Sequence, residues 1–224
     1  MRRAGVAGRD LTYAAWLAQP AYLVTEAGLA VAAGVGYSLR DDTISALGTA
    51  CGPGEVGCSS APGLMNAAFI GFGLLQALGA VPLLRGRGRR ALVGWLWVVA
   101  GLASVGVGLL PVDSHPGAHA VVATPVFAAQ PLALLLHART LPPGPVRPAG
   151  LVLATIALVG VAGFVALLGA DVGVGLAERA AIWPAKLWLP LVAVATARRL
   201  RSGRRPGPRP GGTAPATRPT APGR

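Results

Sequence analysis

The chain has 224 residues, 53% of them hydrophobic and 12% charged, with 32 glycines, 20 prolines and two cysteines. Apolar runs near 20 residues recur along it, longer than a core helix or buried strand needs, which argues against a soluble globule. Two cysteines are too few for a disulfide-dense secreted scaffold, and charged side chains are too sparse for a coiled coil. The formal net charge of +12 is concentrated in residues 198–224, where eight arginines stand with no acid.

Residues 1–13 form a short arm carrying Arg2, Arg3 and Arg9 ahead of the first apolar segment, 14–37. That segment is too long for the apolar region of a signal peptide, about 7 to 15 residues, so an uncleaved helix is expected. Five more segments follow, at 65–84, 91–110, 119–136, 149–169 and 178–197. At a rise of about 1.5 Å per residue, about 20 residues cross a hydrocarbon layer about 30 Å thick. Each segment must be helical, because hydrocarbon offers its backbone no other hydrogen-bond partner. Pro20, Pro125, Pro131 and Pro190 are then expected as kinks inside helices. Small residues four apart, such as Ala30 and Gly34 or Ser104 and Gly108, suit close helix packing. The expected fold is therefore all-α: an integral membrane domain of six transmembrane helices over 14–197, followed by a tail, 198–224, whose Arg, Pro and Gly content predicts disorder.

Charge gives the orientation. The arm, the connections containing Arg85, Arg87, Arg89 and Arg90 and then Arg139 and Arg147, and the tail hold 17 of the 20 basic residues. The opposite connections hold only Arg40 and Arg179, so both termini are expected in the cytoplasm, in a multi-pass protein of the bacterial cell membrane. The tail arginines directly follow an apolar segment, as a polybasic stretch facing anionic lipid does. No aromatic residue interleaves them for stacking on bases, so nucleic acid is not an expected partner.

Three connections then lie on the outer face. The first, SLRDDTISALGTACGPGEVGCSSAPGL, holds Asp42 and Ser45, and places Cys51 and Cys58 seven residues apart where oxidation is permitted, so a disulfide is expected. The second, PVDSHPGAHAVVATPVF, holds Asp113, His115 and His119 at a helix start. Four-residue spacing lets both imidazoles face one way, so a divalent cation is one candidate occupant, with Asp113 as third ligand or orienting group. An ordinary hydrogen-bonded helix cap is the competing reading. The third ends in GLAERAAIWP, where Arg179 sits at a helix N-terminus that disfavours it, implying a carboxylate or phosphate partner.

The succession DDTISALG, PGLMNAAF, GLLPVDSHPGAHAVVA and GLAERAAIW resembles a bacterial and archaeal membrane family labelled domain of unknown function nine-nine-eight. The resemblance covers about residues 14–197. Its recurrent features match Ile44, Ser45, Leu47, Gly48, Asn66, Pro111, Asp113, His119, Glu178 and Arg179. It implies a fold and a place for the site, and carries no activity across.

Two functions remain open on the sequence. One is binding or transport of a small amphipathic or lipid-like molecule through an outer pocket of Asp42, Ser45, Asn66, Asp113, His119, Glu178 and Arg179, or assembly with another membrane protein. The other is a hydrolase or transferase acting on a lipid or envelope metabolite, metal-dependent or not, with Asp113, His119 and Glu178 as candidate catalytic groups. Inside the bilayer, Glu26, Gln76, Gln130 and Lys186 are expected in one buried polar layer near mid-membrane. Such groups are usually paired or functional, and Glu26 would pair with Lys186 if the first and last helices are neighbours.

Overall fold

The computed structural model describes residues 14–33, 36–52, 57–170 and 172–202, the side chains of residues 200–202 excepted. The N-terminal arm, Gly34, Glu55, Asp171 and the tail beyond residue 202 lie outside them. Six α-helices occur among the described residues: α1 (Pro20–Ala33), α2 (Pro62–Leu84), α3 (Arg89–Leu109), α4 (Pro116–Thr140), α5 (Val146–Ala166) and α6 (Val174–Ser202). The last five are long and apolar enough to cross a membrane. A 3₁₀ helix, Ile44–Gly48, lies in the connection between α1 and α2.

The first apolar segment is not one helix, as the sequence suggested. A helical turn over residues 14–17 ends at Ala18 and Gln19, and α1 begins afresh at Pro20. Proline has no N–H to give to the preceding turn and disfavours helical backbone in the residue before it, so Pro20 starts a helix here. Pro82, Pro125, Pro131, Pro184 and Pro190 by contrast lie within helices. Helix α6 starts at Val174, four residues before the expected start of its apolar segment.

Short connections turn each long helix back beside its predecessor. Helix α2 packs on α3, α3 on α4, α4 on α5 and α5 on α6, while α1 touches both α2 and α6 and so closes the bundle. Glycine sets the α2–α3 distance: a Cβ on Gly73 would lie 2.6 Å from the Gly101 carbonyl oxygen, and one on Gly101 equally close to that of Gly73. In lipid this is a principal source of helix affinity, because burying apolar surface there gains little.

Two apolar clusters divide the bundle along its length. At the end carrying the 3₁₀ helix, the loop end, Tyr22, Leu29, Ile44, Leu47, Met65, Phe69, Val107, Val126 and Ile182 pack together. At the far end Trp16, Trp97, Leu134, Trp188, Leu189 and Val192 do so with a set of alanines. Gln19, Gln76, Gln130 and Lys186, all buried, lie among the residues between them.

Candidate functional site

The loop end is organised around Arg179, which is 2% exposed. Its Nη1 donates to the carbonyls of Leu39 (2.7 Å), Asp42 (2.7 Å) and Gly175 (3.0 Å), and its Nη2 to the Tyr37 hydroxyl (2.5 Å). Its Nε lies 2.9 Å from Oε1 of Glu26, and among the described residues neither atom has another partner. The second Glu26 oxygen accepts from the Trp183 indole (2.9 Å). The guanidinium, a planar fork with five N–H donors, thus ties residues 37–42 to α6 and α1 together. Gly175 permits this approach, since a Cβ there would collide with the Asp42 carbonyl.

The 3₁₀ helix sits on three further side chains. Glu178 accepts from the Ile44 N–H (2.5 Å), His119 Nε2 meets Ser45 Oγ (3.1 Å), and the Asn66 amide donates to the Gly48 carbonyl (2.9 Å). Its own N-cap, Thr43, accepts from the Ala46 N–H. A carboxylate from α6, an imidazole from α4 and an amide from α2 therefore hold one short segment over the middle of the bundle. His119 Nδ1 is 2.8 Å from the Leu110 carbonyl, which can only accept. In the neutral ring Nδ1 is then the donor, and Nε2 accepts from the Ser45 hydroxyl.

Under the 3₁₀ helix lies a small cavity of about 30 Å³, room for about two waters by volume. Ile44, Ser45 and Glu178 line it at the loop end, Tyr22, Phe69, Ser104, Val107, Ala123, Val126, Phe127 and Ile182 along its walls, and Gln130 and Lys186 at its floor. Lys186 Nζ donates to Gln19 Oε1 (3.1 Å) and Gln76 Oε1 (3.3 Å) and stands 4.8 Å from the Tyr22 ring centroid. Gln130 Nε2 donates to the Ile182 carbonyl, one turn along α6 from Lys186 (3.3 Å).

Several expectations change in detail. Glu26 does not pair with Lys186, although α1 and α6 do touch; α6 offers it a guanidinium and an indole N–H one turn apart, a closer match for a carboxylate than one ammonium. Gln19, which the sequence reading passed over, joins the polar layer with Gln76 and Lys186. Asp113 does not orient His119: its Oδ1 accepts from the N–H and hydroxyl of Ser114 (2.7 and 2.9 Å) at an exposed position. Those bonds, the hydroxyl foremost, hold its carboxyl below the usual range. His115 is exposed and is the N-cap residue of α4, but its side chain makes no capping bond. Among the described residues no three His, Cys, Asp or Glu side chains gather as a metal site. Asp42 turns its carboxylate to the Ser38 N–H (2.7 Å) and gives the network only its carbonyl. Of the seven residues expected at an outer pocket, Ser45 and Glu178 line the cavity, while Asn66, His119 and Arg179 hold the segment that covers it.

Two more ties complete the loop end. Gly173, at φ 84°, gives its N–H to Asp41 Oδ1 (2.8 Å), and Leu176 gives its N–H to the Arg40 carbonyl (2.8 Å). The positive φ is one that L side chains rarely adopt, which is why glycine stands there. Cys51 and Cys58 are joined by a disulfide, beside a bridge between Ala50 and Ser59.

At the far end His137, 6% exposed, is ringed by three indoles. Trp97 and Trp188 both direct their Nε1–H at its Nδ1 (3.3 and 3.4 Å), and Trp16 meets the ring edge-on at 5.8 Å.

Residues 16–195 match the family described as "Protein of unknown function (DUF998)". The chain belongs to that family and is an all-α, multi-pass membrane protein in contact with the lipid bilayer. No curated protein and no solved structure matches it.

Proposed function

We propose that this protein binds a small amphipathic molecule in the cavity beneath the 3₁₀ helix, and that residues 37–48 are the lid through which it enters and leaves. In this reading the bundle crosses the membrane six times with both termini in the cytoplasm, which puts the lid on the outer face. Reporter fusions at Arg89 and Ser60 would then read cytoplasmic and external. The arginines from Arg198 onward, past the end of the last apolar segment, rest against anionic lipid headgroups on the cytoplasmic side.

One observation carries the reading. Three side chains from three helices hold a five-residue 3₁₀ helix over a cavity whose walls are mostly apolar, Ser104 excepted, and whose two ends are polar. Apolar walls with a few placed polar groups are the usual make-up of a small-molecule site. Helices packed only for stability would not need a loop inserted between them. The present volume admits only water-sized occupants, so in this reading the walls or the lid move to hold a larger molecule, and the lid's movement breaks the hydrogen bonds at Ile44, Ser45 and Gly48.

Native mass spectrometry of the protein released from nanodiscs tests this. The wild type is expected to retain a low-mass adduct that is lost in Ala123→Trp, which fills the cavity, while the variant keeps its thermal stability. An adduct equally abundant in both proteins, or none in the wild type, would refute the proposal.

A second reading has its own observation. Ser45 lines the cavity with its hydroxyl on His119, whose tautomer is fixed by a backbone carbonyl, as a base is held against a nucleophile. This favours acyl transfer over metal-dependent hydrolysis, for which the described residues gather no ligand set. A fluorophosphonate that labels Ser45 in the wild type and not in His119→Gln would support it; no labelling of the wild type would exclude an activated serine.

A further inference from the structure

Lys186 is 3% exposed and lies on α6 two turns from Glu178, at about 1.5 Å of rise per residue about 12 Å along the helix. An ammonium carries three donors. Two are used, by the side-chain oxygens of Gln19 and Gln76, and among the described residues no carboxylate stands within ion-pair distance of it. The other buried cation, Arg179, has Glu26. Buried charge inside a membrane is costly unless paired, and intramembrane ionisable groups mark ligand and ion pathways for that reason. The remaining side of Lys186 faces the cavity, whose walls are apolar.

From this we infer that the cavity floor is an anion subsite: Lys186 Nζ offers its third donor to a carboxylate carried on an apolar chain. The inference rests on the ligand-binding reading above and names the chemistry of its ligand. The two glutamines fix Nζ while contributing no charge of their own, so the positive charge is left for the occupant. Tyr22 covers one side of the ammonium with its ring face, which keeps water from serving as a full substitute for the counterion. A compact, planar carboxylate suits a floor of this size better than a tetrahedral phosphate. The apolar walls formed by Phe69, Val107, Val126 and Phe127 then take the chain, with its far end beneath Ser45 and the lid. The opposite polarity, an amine seated on Glu178, is disfavoured because Glu178 already accepts the Ile44 N–H and belongs to the lid contacts.

The test is isothermal titration of the full-length protein in phosphatidylcholine nanodiscs, with empty nanodiscs as control, using hexanoate, hexanamide, hexylamine and acetate. The expected order is hexanoate first, about tenfold or more tighter than hexanamide, with acetate weaker still because it lacks the chain; a charge-assisted hydrogen bond is worth that much in affinity. Lys186→Gln is expected to abolish the difference between hexanoate and hexanamide, and Lys186→Arg to retain it. Equal binding of hexanoate and hexanamide to the wild type, a preference for hexylamine, or a preference for hexanoate surviving in Lys186→Gln would overturn the anion subsite while leaving a cavity ligand standing. Acetate binding as tightly as hexanoate would keep Lys186 as an anion site and remove the amphipathic ligand. Binding of none of the four would overturn both. The comparison of probes on the wild type needs no variant to fold.

Discussion

The two ends of the bundle are held together by different means. At the far end, three tryptophans, one histidine and many alanines pack directly helix against helix, and an imidazole nitrogen takes two indole N–H groups. At the loop end residues 37–48 are inserted, and two kinds of contact hold them: Ile44 and Leu47 are buried in the apolar cluster, and Arg179, Glu178, His119 and Asn66 bond to backbone or hydroxyl groups of the insert. Direct packing gives up its free energy only when the helices separate. In the ligand-binding reading the insert leaves while the helix–helix contacts stay, and opening costs its hydrogen bonds together with the exposure of Ile44 and Leu47.

The comparison breaks most severely at Arg179. Arg179→Met strips the donors from three carbonyls and a tyrosine and leaves Glu26 buried without its cation, so a loss of about 3–5 kcal/mol is expected in reversible unfolding in bicelles. Adding Glu26→Gln to that variant should return part of the loss, and strictly additive losses would mean that the two residues do not act as a pair.

A smaller effect is expected at the far end. His137→Leu leaves the Trp97 and Trp188 N–H groups without an acceptor, at a cost of about 1–3 kcal/mol. Binding of the cavity ligand should be unaffected, since the cavity floor lies between His137 and the lid. A variant that loses the adduct in native mass spectrometry would show that the two ends are not separable. Ser45→Ala removes one hydrogen bond from the lid, about 1 kcal/mol of lid stability, and is expected to speed ligand release with little change in the global unfolding midpoint.

The smallest effect belongs to Asp41, whose carboxyl is held below the usual carboxylate range first by the Gly173 N–H and then by the Ser38 hydroxyl. A depressed carboxylate contributes stability above its unfolded pKa and loses it as the pH falls through the lower folded value. The Asp41 side chain is 33% exposed at the solvent-facing end, where water screens the charge, so its contribution is small. Asp41→Asn should flatten the acid side of the lid's pH dependence below about pH 4, the ordinary range of the group, and leave neutral-pH behaviour unchanged. An acid limb identical in the two proteins would remove Asp41 from the ties between the first and third connections.

Much of this architecture was legible in the sequence because the bilayer constrains it so tightly. Apolar length found α2 to α6, and the cost of Arg179 at a helix N-terminus implied the carboxylate partner that Glu26 supplies. Side-chain reach and backbone breaks were not legible. Counting back from Tyr37 along a continuous first helix puts Glu26 level with Lys186, whereas α1 ends at Ala33, which leaves Glu26 beside Arg179 nearer the loop end and Gln19 level with the lysine. Spacing put Asp113, His115 and His119 in one cluster, because a pattern of liganding residues does not say that a neighbouring hydroxyl will satisfy the aspartate first. The Gln19 amide left a faint signal, a polar residue directly before a proline inside an apolar run.

Hydrogen–deuterium exchange across residues 37–49 in nanodiscs, wild type against Glu178→Ala, tests the central claim most directly. If the segment is a lid held to α6, its amides, Ile44 among them, should exchange together and at least about tenfold faster in the variant, as losing one buried hydrogen bond implies, with the amides of α3 and α4 around Trp97 and His137 unchanged. Acceleration confined to Ile44 alone, or spread equally over both ends of the bundle, would contradict it.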